Sequence, residues 1–514
     1  MRVNEGVLRV AELFAGVGGF RLGLETMLDG TPRTTKRFHV VWSNQYEPST
    51  RRQHASEIYT HRFGSAGHSN EDIFAIVSDD ERFSALREAR PDMLVAGFPC
   101  QDYSVARTLG QAAGLQGRKG VLWWAIHALL RKRVEDGAPI SYLLLENVDR
   151  LLKSPAQCRG RDFAVILSSL YGLGYAVEWR VINAADYGFP QRRRRVFMVA
   201  YHASTEVGTH LRTALLGSEQ ASWVTKDGVL ARGFPVQPPG TGCMKKLTLS
   251  ADAIETQERF NMERSQNSPF ASAGLMVGGS VWSMNCAAAQ IDDYTPFTGH
   301  RHALTLGDVV GKTAGVPDEF FVSEGQVDKW RHYKGAKRID RVSKNGHVFV
   351  YSEGAMAFPD PLDRPARTII TGEGGTAASR TKHVVATPEG RLRRLTPEEL
   401  EELMGFPRGH TDVTGVPAAR RAFLMGNALV VGLVRRIGNA LCSAIDEHEG
   451  PAGMRGLPEV GDIDRLMRIR SASIECRMSS GLSLRPGASA PLPTDHDRTR
   501  LSFSNVYVRS TNQS

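Results

Sequence analysis

Long apolar runs, paired cysteines and internal repeats are missing from this sequence, and each absence narrows what the chain can do. The six cysteines (Cys100, Cys158, Cys243, Cys286, Cys442 and Cys476) are scattered over 514 residues without a C-x-x-C pair. Neither a disulfide framework nor a zinc ribbon is therefore expected, no metal is called for, and a reducing cytoplasm is the simplest compartment. No run approaches the roughly 20 apolar residues of a membrane span. Glu5, Arg9 and Glu12 interrupt the stretch where an apolar signal region would lie, so secretion and membrane insertion are not expected. A nucleotide phosphate loop is absent as well: in the glycine-rich stretch Gly114–Gly120, Lys119 is followed by Gly120 where such a loop needs Ser or Thr.

What is present is globular. Hydrophobic residues make up 41% and charged residues 23% of the chain, enough to bury a core, and the length predicts two or three compact units. Sixty-four basic against 55 acidic residues leave a net charge of +9, compatible with a polyanionic partner and also ordinary among soluble proteins.

From about residue 7 to 201, β-type runs (Val7–Leu13, Phe38–Ser43, Asp92–Ala96, Tyr142–Leu145, Tyr175–Val181, Val196–Tyr201) alternate with helical patterns near Phe20–Leu28, Glu81–Ala89, Val121–Arg131 and Phe163–Leu170. That rhythm predicts an α/β domain with a mostly parallel sheet. Residues 202–390 are irregular and Gly/Thr-rich, with short β runs such as His347–Tyr351 and Thr368–Thr371, and read as a second domain. Helical signals return at Thr396-Pro397-Glu398-Glu399-Leu400, with Thr as N-cap and Pro at the first helical position, and again over Ala428–His448. Beyond about 450 the composition is that of a poorly ordered tail, in which Leu501–Arg509 has strand character.

Four constellations carry chemistry. Glu12-Leu13-Phe14-Ala15-Gly16-Val17-Gly18-Gly19-Phe20 stands where the first strand ends and a helix begins, so its glycines permit a tight turn and close backbone approach to a ligand. The next strand ends in Asn44-Gln45-Tyr46-Glu47, with an acid about where this sheet type holds a ribose hydroxyl; together they favour a nucleoside-containing cofactor. Gly97-Phe98-Pro99-Cys100 follows the strand Asp92–Ala96 and puts a thiol at a carboxyl edge of the sheet. A lone cysteine is more often a small core hydrophobe than a nucleophile, and it is the loop context that favours the reactive reading. Glu146-Asn147-Val148 aims a carboxylate at the same edge, with helix capping as the plain alternative. In Gln191-Arg192-Arg193-Arg194-Arg195, an extended chain sends Gln191, Arg193 and Arg195 to one face and Arg192 and Arg194 to the other.

Taken in order, these motifs resemble those of the DNA (cytosine-5)-methyltransferase family, as do Arg394-Leu395-Thr396 through Met404-Gly405-Phe406-Pro407 and Gly426-Asn427-Ala428-Leu429. The resemblance covers residues 9–201 and about 391–440. It implies a Rossmann-like, S-adenosylmethionine-dependent methyltransferase sheet with a second, smaller target-recognition domain over 202–390 and a return segment, residues 391–449, that completes the catalytic domain. It also implies Cys100 as nucleophile in the motif Pro99-Cys100, Glu146 as the acid at the cytosine edge, and Gln191, Arg193 and Arg195 as supporting side chains. Phe14 is expected to stack on the adenine and Gly16 and Gly18 to line the methionine part. Asp72 is expected at the adenine amino group and Asn427 near the methionine end, with Gly19, Tyr46, Ile73 and Pro99 completing the cofactor shell. The ribose falls either to Gln45, which stands where the family often has an acid, or to Glu47. The loop Arg107–Gly120 is expected to close over the substrate. Near the end of the second domain, Arg364-Pro365-Ala366-Arg367-Thr368-Ile369-Ile370-Thr371 resembles a threonine-centred segment of the family's recognition region, with Arg380, Thr381 and Lys382 as candidate phosphate or base contacts.

The expected partner is double-stranded DNA, from which a cytosine is flipped. A separately acting cognate restriction endonuclease is compatible with this, and a cytoplasmic, nucleoid-associated monomer without membrane contact is anticipated. Two alternatives stand beside this reading: an RNA (tRNA) cytosine-5-methyltransferase on the same core, disfavoured by the long 202–390 segment, and a silent DNA-binding relative, disfavoured by the intact Cys100, Glu146 and Arg193.

Overall fold

In the computed structural model, the described residues are 6–26, 37–98, 122–214, 219–238, 244–342, 346 and 348–449. Pro99, Cys100, the loop Arg107–Gly120, the tail after 449 and its expected strand Leu501–Arg509 lie outside them.

Strands β1 (Leu8–Leu13), β2 (Phe38–Asn44), β3 (His68–Ser69), β4 (Met93–Gly97), β5 (Tyr142–Val148), β6 (Tyr175–Asn183) and β7 (Arg194–His202) stand in the order β3-β2-β1-β4-β5-β7-β6. The pairs β2/β3, β1/β2, β1/β4 and β4/β5 are parallel, whereas β7 runs antiparallel to both β5 and β6. The six strands predicted between residues 7 and 201 are all present, within a few residues of their expected ends. Period-two alternation sorts their side chains onto two cores. Val10, Met93, Val95 and Leu144 face one layer, and Ala11, Leu13, Leu94, Ala96, Leu143 and Leu145 face the other.

Helices α1 (Gly19–Glu25), α2 (His54–Phe63), α3 (Ile73–Ser78), α4 (Asp80–Ala89), α5 (Leu122–Glu135) and α6 (Arg161–Gly172) connect these strands. Helices α2 and α3 fall outside the helical patterns of the sequence. The weak amphipathy of HASEIYTHRF hides α2, although it buries Ala55, Ile58 and Tyr59. The 202–390 segment adds strands to the same sheet: β8 (Lys245–Thr248), β9 (Ala273–Val277) and β10 (Ser280–Met284) continue it in the order β6-β9-β10-β8, all antiparallel. Helix α7 (Ala253–Glu263) lies between β8 and β9 in the chain and packs on α6. A separate two-stranded hairpin follows, β11 (Lys337–Val342) with β12 (Val348–Glu353), and then a short pair, β13 (Val384–Ala386) with β14 (Leu392–Arg394). The expected β run Thr368–Thr371 is not a strand. Ala366 makes a single parallel bridge to Gln191, and Thr371–Glu373 is a short 3-10 turn, because the run spends its polar groups on residues 191–193.

The return segment forms α8 (Pro397–Leu403), α9 (Ala418–Asn427) and α10 (Val431–Glu449). Helix α8 starts as its sequence predicts. Thr396 Oγ accepts from the Glu399 N–H while the Glu399 carboxylate accepts from the Thr396 N–H, a reciprocal cap worth about 1 kcal/mol. Arg393 adds a bidentate ion pair to Glu399 at 2.9 and 2.7 Å. Helix α10 packs on α1 so closely that a Cβ on Gly23 would lie 2.6 Å from Val434 Cβ. The stretch Ala418–His448 is long and apolar enough to cross a membrane by composition, and 78% of its most apolar window is buried within the fold as a core element.

Candidate active site

Parallel register brings the candidate residues to one edge. Leu13 lies level with Asn44 and with Ala96, and Gly97 with Glu146, so the glycine loop, residues 44–47, the end of β4 and Glu146 all emerge at the carboxyl end of the sheet. Strand β7 runs the other way, so its start comes to that edge too: Arg195 lies level with Val148. This antiparallel strand is how the arginine run reaches the acid.

The glycine loop is a backbone construction. Phe14, Gly16 and Gly18 have φ of 53°, 57° and 87°, a region open to glycine and costly for phenylalanine. The Phe63 ring sits 2.2 Å from where a Gly18 Cβ would be, and Leu429 and Phe406 crowd Gly19. On its outer side the loop is open, since a Cβ on Gly16 would meet only the loop's own Phe14 carbonyl at 4.0 Å. Gln45 is buried and accepts the Gly16 N–H at 2.7 Å, so it clamps the turn. Glu47 is ion-paired to Arg420 of α9, and Tyr46 beside it is 38% exposed. Asp72 is exposed and caps α3 through the Phe74 N–H at 2.9 Å, while Ile73 is buried beneath it. Asn427 is exposed at the end of α9. The return segment braces the loop from behind, with the His410 ring N–H donating to the Val17 carbonyl at 2.7 Å; burial holds this imidazole down near 4 and therefore neutral.

On the other side of the edge the construction is charged. Glu146 is largely buried and paired to Arg195 Nε at 3.0 Å. Burial pushes its carboxyl above the ordinary range, against the pull of Arg195 and Arg193. The expected alternation holds: Gln191 and Arg193 are buried and Arg195 nearly so, whereas Arg192 and Arg194 are exposed, Arg194 pairing with Asp149 at 3.0 Å. Arg193 donates to the carbonyls of Ile369 (3.0 Å) and Gly426 (3.1 Å). Burial pulls its guanidinium down to about 9, with Arg195 adding to the effect and Glu146 opposing it. Gln191 accepts the Ile369 N–H at 3.1 Å. Thus the end of the 202–390 segment and the return segment meet at Arg193. Arg380 and Lys382, candidates for nucleic-acid contact, are engaged within the protein by backbone carbonyls of Tyr333 and Gly335 and of Gly375 and Ala377.

Two residues carry more of the site than the sequence reading assigned them. Asn147, buried at 2% exposure, donates to the Phe98 carbonyl at 2.8 Å and so fixes the chain one residue before Pro99. Glu12, fully buried under the glycine loop, accepts from Tyr59 Oη at 2.9 Å, and burial raises its carboxyl to about 7. An acid flanked by Ala11 and Leu13 in a core strand was the available signal.

A glycine loop after β1, ligand-side residues along one carboxyl edge and a reversed strand β7 define a Rossmann-like methyltransferase fold. A family model of the C-5 cytosine-specific DNA methylases matches residues 8–443, and the chain belongs to that family. It is 41% identical over 435 residues to the Type II methyltransferase M.Sau3AI of Staphylococcus aureus, spanning 84% of this chain and 95% of that protein. It is 40% identical over 377 residues to M.NlaIV of Neisseria lactamica (68% and 82%). With M.NgoBV of Neisseria gonorrhoeae it shares 28% over 465 residues (84% and 98%).

Proposed function

We propose that this chain is a Type II DNA methyltransferase that methylates carbon 5 of a flipped cytosine within a specific duplex sequence, working in the bacterial cytoplasm on nucleoid DNA. The observation that carries the reading is Glu146: a buried carboxyl, raised by burial and held by Arg195, level with Gly97 and therefore beside the strand end that leads into Pro99-Cys100.

Carbon 5 of cytosine is a weak nucleophile. The Cys100 thiolate adds to carbon 6, forming a C–S bond and moving the ring electrons to carbon 5, which then acquires the methyl group. Glu146, in its protonated form, donates to ring nitrogen 3 and offsets the charge that develops during the addition. Arg195 orients that carboxyl. Arg193, bonded to Ile369 and Gly426, holds the floor of the site together. Loss of the carbon 5 proton to a base and departure of the Cys100 thiolate then restore the aromatic ring.

S-adenosylmethionine supplies the electrophilic methyl group. Its fit rests on the open outer side of Gly16 and on the exposed carboxylate of Asp72. In this reading Phe14, Tyr46, Asp72 and Ile73 receive the adenosine, and Gly16, Gly18, Gly19, Pro99 and Asn427 the methionine portion. Glu47 takes the ribose, because Gln45 is committed to the loop. Residues 202–390 carry target recognition, and the catalytic unit is a monomer.

Incubating the full chain with S-adenosylmethionine and duplex DNA containing 5-fluorocytosine tests this mechanism, because fluorine does not leave as a proton does. A covalent complex whose cross-linked peptide contains Cys100 is expected. A cross-link on another residue would reassign the nucleophile.

A further inference from the structure

The hairpin β11/β12 stands apart from the rest of the molecule. It belongs to no larger sheet, and five of the ten strongly exposed large apolar side chains among the described residues lie on it: Ile339, Val342, Val348, Phe349 and Val350. A two-stranded ribbon with exposed apolar side chains on both faces is marginal in water and presents unpaired edges, so such a surface calls for a partner.

The two faces are not alike. Register puts Lys337, Ile339 and Arg341 opposite Glu353, Tyr351 and Phe349 on one face. That face is tied within itself and to the body. The Arg341 guanidinium lies 4.1 Å from the Tyr351 ring centroid, Tyr351 donates to Glu353, and Glu353 is paired with Arg380 at 3.1 Å. Arg380 also donates to the carbonyls of Gly335 and Gly354, clamping both legs of the hairpin at its foot. The opposite face presents Arg338, Asp340 and Val342 against Ser352, Val350 and Val348. There the side chains of Arg338 and Asp340 have no hydrogen bond or ion pair to another described residue. With Glu353 neutralised by Arg380, the described ribbon carries three cations, Lys337, Arg338 and Arg341, against the single acid Asp340.

The foot of the hairpin is linked to the catalytic edge. Lys334 and Arg367 both pair with the buried Asp360, and Ala366 bridges to Gln191. A cleft of about 250 Å³ beside the foot is lined by Ala355, Met356 and Ala357 on one side and by exposed Arg192 on the other.

We infer that the strands Lys337–Val342 and Val348–Glu353 form a groove-reading ribbon for duplex DNA, with the Arg338/Asp340/Val348/Val350 face toward the base edges. This assignment rests on the proposed DNA-methylating function. The major groove, about 12 Å wide, admits a two-stranded β-ribbon. Basic side chains supply the phosphate attraction, and the valines offer apolar contact to thymine methyls. Asp340 is the informative residue: a carboxylate is repelled by phosphates and is tolerated only facing a donor, such as the exocyclic amino group of cytosine or adenine in the groove. It therefore confers base selectivity rather than affinity.

The test uses the full chain with Asp340→Asn, which preserves shape, and with Arg338→Ala. Discrimination is measured as relative methylation rate and binding of the preferred duplex against duplexes changed at single base pairs. Each substitution is expected to lower discrimination at one position by about 5- to 150-fold, while S-adenosylmethionine binding and the thermal midpoint stay at wild-type values. Unchanged discrimination in both variants would overturn the assignment. So would concentration-dependent self-association abolished by Val348→Ser with discrimination intact, since the ribbon would then pair with a second copy. If the wild type modifies no duplex DNA at all, the function proposed above fails and the assignment falls with it; loss confined to the hairpin variants leaves that function standing.

Discussion

The two halves of the sheet's carboxyl edge are built by different means. On the β1–β3 side the shape comes from backbone: positive φ at Phe14, Gly16 and Gly18, a glutamine clamp on Gly16, and glycines where Phe63 and Leu429 press close. On the β5–β7 side it comes from buried charge, with Glu146 on Arg195 and Arg193 on two carbonyls 176 and 233 residues away in the chain. The first side can hold a ligand that needs close approach, and the second can move protons and stabilise charge. Damage to the first should therefore show in cofactor affinity, and damage to the second in turnover.

The largest effects are expected on the charged side. Cys100→Ser should abolish turnover while leaving cofactor binding nearly intact, as single-turnover assay and calorimetry would report. Glu146→Gln, which keeps a hydrogen-bonding group but loses the titrating proton, should lower kcat by about 100- to 10,000-fold with little change in KM for the cofactor. Equal losses in cofactor affinity would erase the division between the halves.

Next is the junction that joins them. A Cβ on Gly426 would lie 2.3 Å from the Thr371 amide nitrogen and 2.4 Å from the Ile370 carbonyl carbon, so Gly426→Ala should destabilise the protein by about 1–3 kcal/mol. Because Gly426 supplies an acceptor for Arg193, kcat should fall as well. Thermal unfolding with steady-state kinetics checks both.

On the backbone side, Gln45→Ala removes the acceptor of the Gly16 N–H, at a cost of about 1 kcal/mol. It should weaken S-adenosylmethionine binding by roughly tenfold with kcat at saturation little changed. A fall in kcat without a change in affinity would contradict this role.

The last expected effect is a pH dependence of stability. The Glu12 carboxyl is raised to about 7 in the folded protein, so the native state holds a proton that the unfolded chain releases near pH 4.5, and this contribution to stability declines as pH rises from about 4.5 to 7. Glu12→Gln should therefore flatten the stability profile over that range and stabilise the protein at pH 8 relative to wild type by up to about 3 kcal/mol. Denaturant titrations at pH 5 and 8 read this difference directly.

The same contrast explains what was legible in the sequence. The backbone half is local: a strand, its glycine turn and the next strand's end lie within about 40 residues, and the alternation of Gln191 to Arg195 follows from strand period alone. The partners of that run were hidden, because Ile369 and Gly426 contribute backbone carbonyls, which leave no side-chain signature. For the same reason Arg380 and Lys382 read as phosphate contacts, although each is occupied by carbonyls of its own chain. Helix α2 escaped because its buried positions include Ser56 and Tyr59 among charged neighbours. The extension of the sheet by β8, β9 and β10 depends on pairing with β6 across roughly 100 residues, which no local pattern announces.

The most direct test of the account is base-resolution 5-methylcytosine sequencing of DNA from a methylation-free host expressing the wild type, Cys100→Ala or Glu146→Gln. Methylation at one cytosine of one short motif is expected with the wild type, none with Cys100→Ala and a trace with Glu146→Gln. Unmodified DNA in the wild-type cells, or wild-type methylation by either variant, would contradict it.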